Sequence, residues 1–189
     1  VAVDVWHGKT SYTSRIFVRK DSGYKTVEDL RGKTIAFVDP GSTSGYVYPM
    51  VMLIKKGLVR DRDPKTFFKD AMFTGTHEAA LLALLNGSVD AVASFDLAPQ
   101  QYLKDKERVE KIAYVAETEP IPEAGMCVRE GMDPLLVKKI QDALMAFNAP
   151  EYKPALKDFY GIDGFSPARD SDYNPVREAI DLLGWRPKR

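Results

Sequence analysis

The chain has 189 residues, 44% hydrophobic and 29% charged, with 27 basic side chains balanced by 27 acidic ones. That length buries a core as one large domain or two small lobes, and the balanced charge offers no basic stripe of the kind a nucleic-acid partner needs. No apolar run approaches the ~18 residues of a membrane span, and the single cysteine, Cys127, rules out an internal disulfide framework.

The opening residues 1–6 (VAVDVW) show neither a starting Met nor a signal peptide, and read as a processed or cut chain. Residues 12–19 (YTSRIFVR) are β-branched and aromatic enough for a strand. Residues 26–30 read as a short helix capped by Thr26, and residues 34–38 (TIAFV) as a buried strand. Residues 46–57 fit a helix with Lys55 and Lys56 in its last turn and Gly57 after it. Pro49 is tolerated there only near the helix start, so the helix either begins near residues 46–48 or is kinked. A strand at 71–74, a helix at 78–86 and a strand at 89–94 follow, so strand, turn, helix and strand occur twice. That repetition is the mark of parallel βαβ units. Further strands are expected at 112–116 and 126–129, the second placing Cys127 in the core, and a long amphipathic helix at 134–147 with Asp133 as N-cap.

In open α/β sheets ligands bind beyond the carboxyl ends of the strands, which singles out the loops at 39–45, 74–77 and 95–99. The first, DPGSTSG, sets the hydroxyls of Ser42, Thr43 and Ser44 at a helix start, where unpaired N–H groups and partial positive charge suit an oxyanion. A plain N-cap turn would use the same residues. The loop has no lysine, so it is not a nucleotide-hydrolysing loop. His77 opens the next helix as a hydrogen-bond donor or, alternatively, as a surface cap; with His7 its only fellow and no HxxxH spacing, it is not a metal ligand. Asp96 can accept a hydrogen bond from a protonated oxyacid, bind an amine, or cap the helix that follows. No GxSxG or GK[ST] element and no nucleophile-base set is present, so catalysis is not expected.

The stretches LRGKTIAFVDPGSTSGY and FTGTHEAALLALLNGSVDAVAS, with Ile121-Pro122 further on, resemble the phosphonate/phosphite-binding family of ABC-transporter periplasmic proteins. The resemblance implies an α/β periplasmic-binding-protein-like fold of two lobes, with mostly parallel sheets flanked by helices and the ligand clamped between them. Residues 28–121 would form the second lobe; residues 1–27 and 122–189 would form a first lobe that is incomplete, with hinge-crossing strands. Position by position, Ser42, Thr43 and Ser44 match the loop that grips phosphonate oxygens, and His77 matches the histidine that also reaches them. Asp96 matches an acid facing the ligand's other end, and Tyr12 falls where a pocket tyrosine often stands. One departure is Ala124, where the family commonly carries an acid; Glu123 beside it points the other way on an extended segment. That loss favours phosphite or methylphosphonate over aminoalkylphosphonates.

The resemblance therefore implies the extracytoplasmic solute-binding component of an ABC importer, not an enzyme, with no cofactor and no metal. Its partners would be a small phosphorus oxyanion and a membrane permease. Its place would be periplasmic or extracellular, a lipid anchor being one option. The alternative is a ligand-sensing domain of the same fold fused to a membrane signalling protein. An enzyme or a regulator's effector domain of similar fold is a third reading.

Overall fold

Apolar side chains at alternate positions of a strand face opposite sides of a sheet, and the central runs of this chain are apolar at nearly every position, so both sheet faces must be covered. The computed structural model describes residues 1–184. In chain order it contains β1 (Ala2–Val5), β2 (Ser11–Tyr12), β3 (Ser14–Arg19), β4 (Thr34–Phe37), α1 (Tyr48–Lys55), β5 (Asp70–Phe73), α2 (His77–Leu85), β6 (Ala91–Phe95), α3 (Ala98–Tyr102) and α4 (Lys106–Glu110). Then follow β7 (Ile112–Glu117), β8 (Ile121–Pro122), β9 (Gly125–Met126), α5 (Pro134–Ala146), α6 (Lys153–Tyr160), β10 (Gly164–Pro167) and α7 (Asn174–Leu183).

Two units result. One comprises Val1–Tyr12 and Pro122–Arg177, the other Thr13–Ile121 with the described residues from Glu178 onward. The division differs from the expected one at 27/28, and the reason is β3. It is hydrogen-bonded antiparallel between β6 and β7, with Ser14 opposite Phe95 and Arg15 opposite Glu117. Residues 13–27 therefore belong to the second unit. The end of α7 joins them, since Arg62 Nε donates to the Leu182 carbonyl at 2.9 Å and Leu183 packs on the second unit's core. Of the expected first-lobe segment 122–189, residues 185–189 lie outside the described residues.

The second unit is a five-stranded sheet in the order β5-β4-β6-β3-β7. The βαβ expectation holds for β5, β4 and β6, which are parallel. The sheet is mixed rather than mostly parallel because β3 runs against both of its neighbours. Ile16, Val18, Ile35, Phe37, Ala91 and Ala93 face one core with Val27, Leu30, Met50 and Leu53. Phe17, Ala36, Val38 and Val92 face the other, with Ala80, Leu81 and Leu84 of α2. The expected strand at 12–19 is broken at Thr13, so β2 pairs separately with β8. Residues 27–30 wind as a 3-10 turn, with Asp29 Oδ2 accepting from the amides of Lys25 at 2.8 Å and Thr26 at 2.9 Å.

In the first unit β1 lies between β10 and β9, antiparallel to both. Asn148 ties the following helices to this sheet, donating to the Phe165 carbonyl at 2.9 Å and accepting from its amide at 2.8 Å. Ala2, Leu156, Ile162 and Phe165 form a small core. Asp133 caps α5 as expected, accepting from the Leu135 amide. The expected strand at 126–129 shrinks to Gly125–Met126 because the ladder with β1 ends at the Ala2–Met126 pair. Cys127, expected in the core, consequently leaves the sheet and is exposed, lining a cavity of about 400 Å³ with Tyr173 and Arg177.

Candidate functional site

Parallel β5, β4 and β6 end on the same sheet edge, so the loops after them converge within the second unit. The antiparallel strand β3 begins on that edge, and β7 ends there.

The loop after β4 is locally determined. Asp39 Oδ1 accepts from the Gly41 amide at 2.8 Å, and its carbonyl accepts from the Ser42 amide at 3.0 Å. Ser42 is the N-cap: its Oγ accepts from the Gly45 amide at 3.0 Å, which leaves its own proton free to donate. The chain then winds one π-helical turn, Thr43–Val47, in which the Ser42 carbonyl accepts from both Tyr46 and Val47 at 3.0 Å. π-turns of this kind recur at functional sites. Only after it does α1 start, and Pro49 then falls in the first turn, where its missing N–H costs nothing. The amides of Thr43 and Ser44 occupy first-turn positions without intrahelical acceptors. Gly45 is required by close approach: a Cβ there would sit 2.5 Å from Val38 Cβ and 2.7 Å from Ser42 Oγ.

A second layer holds this loop. Ser14, fully buried, brings its Oγ within 2.5 Å of the Ser44 carbonyl and 3.1 Å of the Ser94 carbonyl. Its amide donates to Thr118 Oγ1 at 3.0 Å. Ser44 is itself 4% exposed, so its contribution is chiefly its backbone.

His77 is the first residue of α2, whose N-cap is Thr76, accepting from the Ala79 amide at 3.1 Å. Its Nδ1 lies 2.6 Å from Ser94 Oγ. The ring stacks on Tyr102 at 6.2 Å and meets the Phe95 ring edge-on at 5.0 Å. Burial among these groups pushes the imidazole below its ordinary pKa, toward the neutral form.

Asp96 does not cap the next helix; Leu97 holds that position, without a side-chain capping bond. The Asp96 amide donates to the Thr13 carbonyl at 3.0 Å, and its Oδ1 is buried with no hydrogen-bond partner among the described residues. A buried carboxylate oxygen left so is costly unless a donor arrives.

The structure thus gathers Ser42, Thr43, Ser44, His77 and Asp96 on one edge of one unit. Tyr12 belongs to the other unit, as the last residue of its first segment, half-buried on β2. Sequence reasoning missed Ser14, Ser94 and Thr118. The available signal was a hydroxyl residue at the end of an otherwise apolar strand. Among the described residues, no group of three or more His, Cys, Asp or Glu side chains is placed to hold a metal ion, and no helix is long and apolar enough to cross a membrane.

Comparison with known proteins adds the family. The sequence profile described as "ABC transporter, phosphonate, periplasmic substrate-binding protein" matches residues 1–173. A phosphate-import protein PhnD of Mycolicibacterium smegmatis is 28% identical over 192 residues, covering 94% of this chain and 60% of that protein. Among solved structures, a binding protein component of an ABC phosphonate transporter from Pseudomonas aeruginosa superposes with a TM-score of 0.76 at 25% identity, over 97% of this chain and 61% of that one. PhnD1 from Prochlorococcus marinus, solved with methylphosphonate, shares the fold at a TM-score of 0.70 and 19% identity, over 97% of this chain and 71% of that one. The chain spans about three fifths of the length of the curated relative it matches. Strands, helices and profile agree, and the chain belongs to the phosphonate periplasmic substrate-binding protein family of ABC transporters.

Proposed function

We propose that the protein is the solute-binding component of an ABC importer, and that it binds a phosphonate- or phosphite-like oxyanion without transforming it. The observation that carries this reading is the Ser42–Ser44 helix start, pinned by Ser14 to β6, with His77 on the neighbouring helix start held by Ser94. The Thr43 and Ser44 amides of the π-turn, the Ser42 and Thr43 hydroxyls and one imidazole N–H make a donor set for three oxyanion oxygens. Asp96 supplies the reverse polarity: its unpartnered oxygen accepts from a P–OH proton or from a ligand N–H or O–H. With Ala124 where a second acid would stand, the ligand is small, as phosphite or methylphosphonate is.

Charge-assisted hydrogen bonds contribute roughly 1.5–3 kcal/mol each. Four or five of them offset anion desolvation and leave about 8 kcal/mol, which is micromolar affinity. The partners are the oxyanion and a membrane permease, the place of action is outside the cytoplasmic membrane, and a lipid anchor would keep the protein there. Titration calorimetry of the full-length protein with phosphite, methylphosphonate and phosphate is expected to give micromolar binding of at least one. Ser42→Ala and His77→Ala should each weaken it about tenfold, one charge-assisted hydrogen bond's worth. Absence of heat from all three anions at millimolar concentration would reject the reading.

A further inference from the structure

The Ser94 side chain enters the anion site only through His77. We propose that Ser94 is a positioning residue that locks His77 in one tautomer, with the proton on Nε2 and the Nδ1 lone pair occupied. Ser94 is fully buried at the end of β6, so its hydroxyl proton cannot turn to water. The acceptor that the fold sets against it is His77 Nδ1, at 2.6 Å. A hydroxyl carries one proton and two lone pairs, and a neutral imidazole carries one donor and one acceptor. If Nδ1 carried the proton, it would donate to Oγ and the Ser94 proton would be buried with no other acceptor among the described residues. If Ser94 donates to Nδ1, both groups are satisfied. Buried polar groups follow the satisfied arrangement, and an imidazole's second nitrogen is set by the hydrogen bond its first one makes.

Two further contacts keep the pair in register. The Ser94 carbonyl accepts from Ser14 Oγ at 3.1 Å, and that same Oγ reaches the Ser44 carbonyl at 2.5 Å. The backbone of the serine that orients the histidine is therefore tied to the backbone of the anion loop. Tyr102 and Phe95 fix the ring plane from two sides. The ring is thus held as an Nε2–H donor before any ligand arrives, which spares binding the reorganisation of a freely exchanging imidazole.

The tautomer does not depend on ligand, whereas its effect on affinity rests on the anion-binding reading above; the two fail separately. Long-range proton–nitrogen NMR of the ligand-free full-length protein reads the tautomer, the His77 signals being assigned by their loss in His77→Gln. The expected spectrum shows a protonated Nε2 and a bare Nδ1. A protonated Nδ1 in the native protein overturns the proposal outright. Ser94→Ala should produce a mixture of tautomers at unchanged fold, checked by circular dichroism, and should weaken methylphosphonate or phosphate binding by roughly five- to tenfold, the loss of one neutral hydrogen bond's influence. Ser94→Thr, which keeps the hydroxyl, should restore the Nε2–H form. If Ser94→Ala keeps a pure Nε2–H signal, Ser94 is not what sets it and the proposal falls.

Discussion

A single added carbon at Gly45 measures how tightly the loop after β4 is built. Its Cβ would meet Val38 Cβ at 2.5 Å and Val38 Cγ2 at 2.6 Å, both inside a packed sheet edge, so the loop and not a flexible side chain has to move. Gly45→Ala is expected to destabilise the protein by about 1–3 kcal/mol, the usual cost of overpacking, and chemical denaturation measures it. His77 gives a pH-dependent counterpart. Burial lowers its folded-state pKa below the ordinary 6.5, so its contribution to stability is complete above about 6.5 and declines as the pH falls from there toward the folded value, where the unfolded chain takes up the proton first. The stability difference between the protein and His77→Gln should therefore shrink on acidification through that window; a constant difference between neutral and mildly acid pH would contradict the buried, neutral imidazole. An anion bound beside it, as proposed, would work in the opposite direction, favouring the imidazolium. Ser42, Thr43 and His77 were readable from the chain because helix starts are local. Ser14, Ser94 and Thr118 were not, because their bonds join residues 17 to 104 positions apart.

At the scale of elements, β4 and β6 are aligned by one side chain. Asp90, just ahead of β6, accepts through Oδ2 from the Thr34 amide at 2.9 Å and the Thr34 hydroxyl at 2.8 Å, while Tyr24 donates to Oδ1 at 3.3 Å. The Asp90 amide donates back to the Thr34 carbonyl at 3.1 Å. Burial pushes the Asp90 carboxyl up, but the Thr34 and Tyr24 hydrogen bonds outweigh it and hold the group below its ordinary value. Asp90→Ala removes an acceptor from three donors at the start of two strands, and should cost about 1–3 kcal/mol in denaturant unfolding; a loss within about 0.5 kcal/mol, as for an ordinary surface substitution, would show that the strands hold their register without it. The carboxylate's share of stability is present above the unfolded value of 3.8 and fades as the pH falls through the lower folded value. The elements that sequence reading placed well were those with local punctuation: α2, expected at 78–86 and found at His77–Leu85, and α5 behind its cap Asp133. The 126–129 strand failed because its length depended on a partner strand far away in the chain.

Across the whole molecule the two units are cored unequally. The second buries side chains on both faces of its central strands β3, β4 and β6, while α5 of the first has no buried residue and leaves Leu135 73% exposed. Amide hydrogen exchange should therefore be slowest in β6, where Ala91, Val92 and Ala93 are fully buried, and fastest in α5 among the long helices. Equal protection in β6 and α5 would contradict that ordering. The amino-acid sequence by itself determined the parallel βαβ centre, the anion-suited turn after β4 and the family, since each rests on patterns confined to a few tens of residues. Tertiary structure alone decided that residues 13–27 join the second unit, that Cys127 is exposed, that a buried oxygen of Asp96 has no hydrogen-bond partner among the described residues and that three serines tie the loop after β4 to His77. The physical reason is that each depends on partners distant in the chain: β3, a short strand with no local mark of direction, pairs on both edges with β6 and β7, while Cys127 leaves its sheet where the β1–β9 ladder ends.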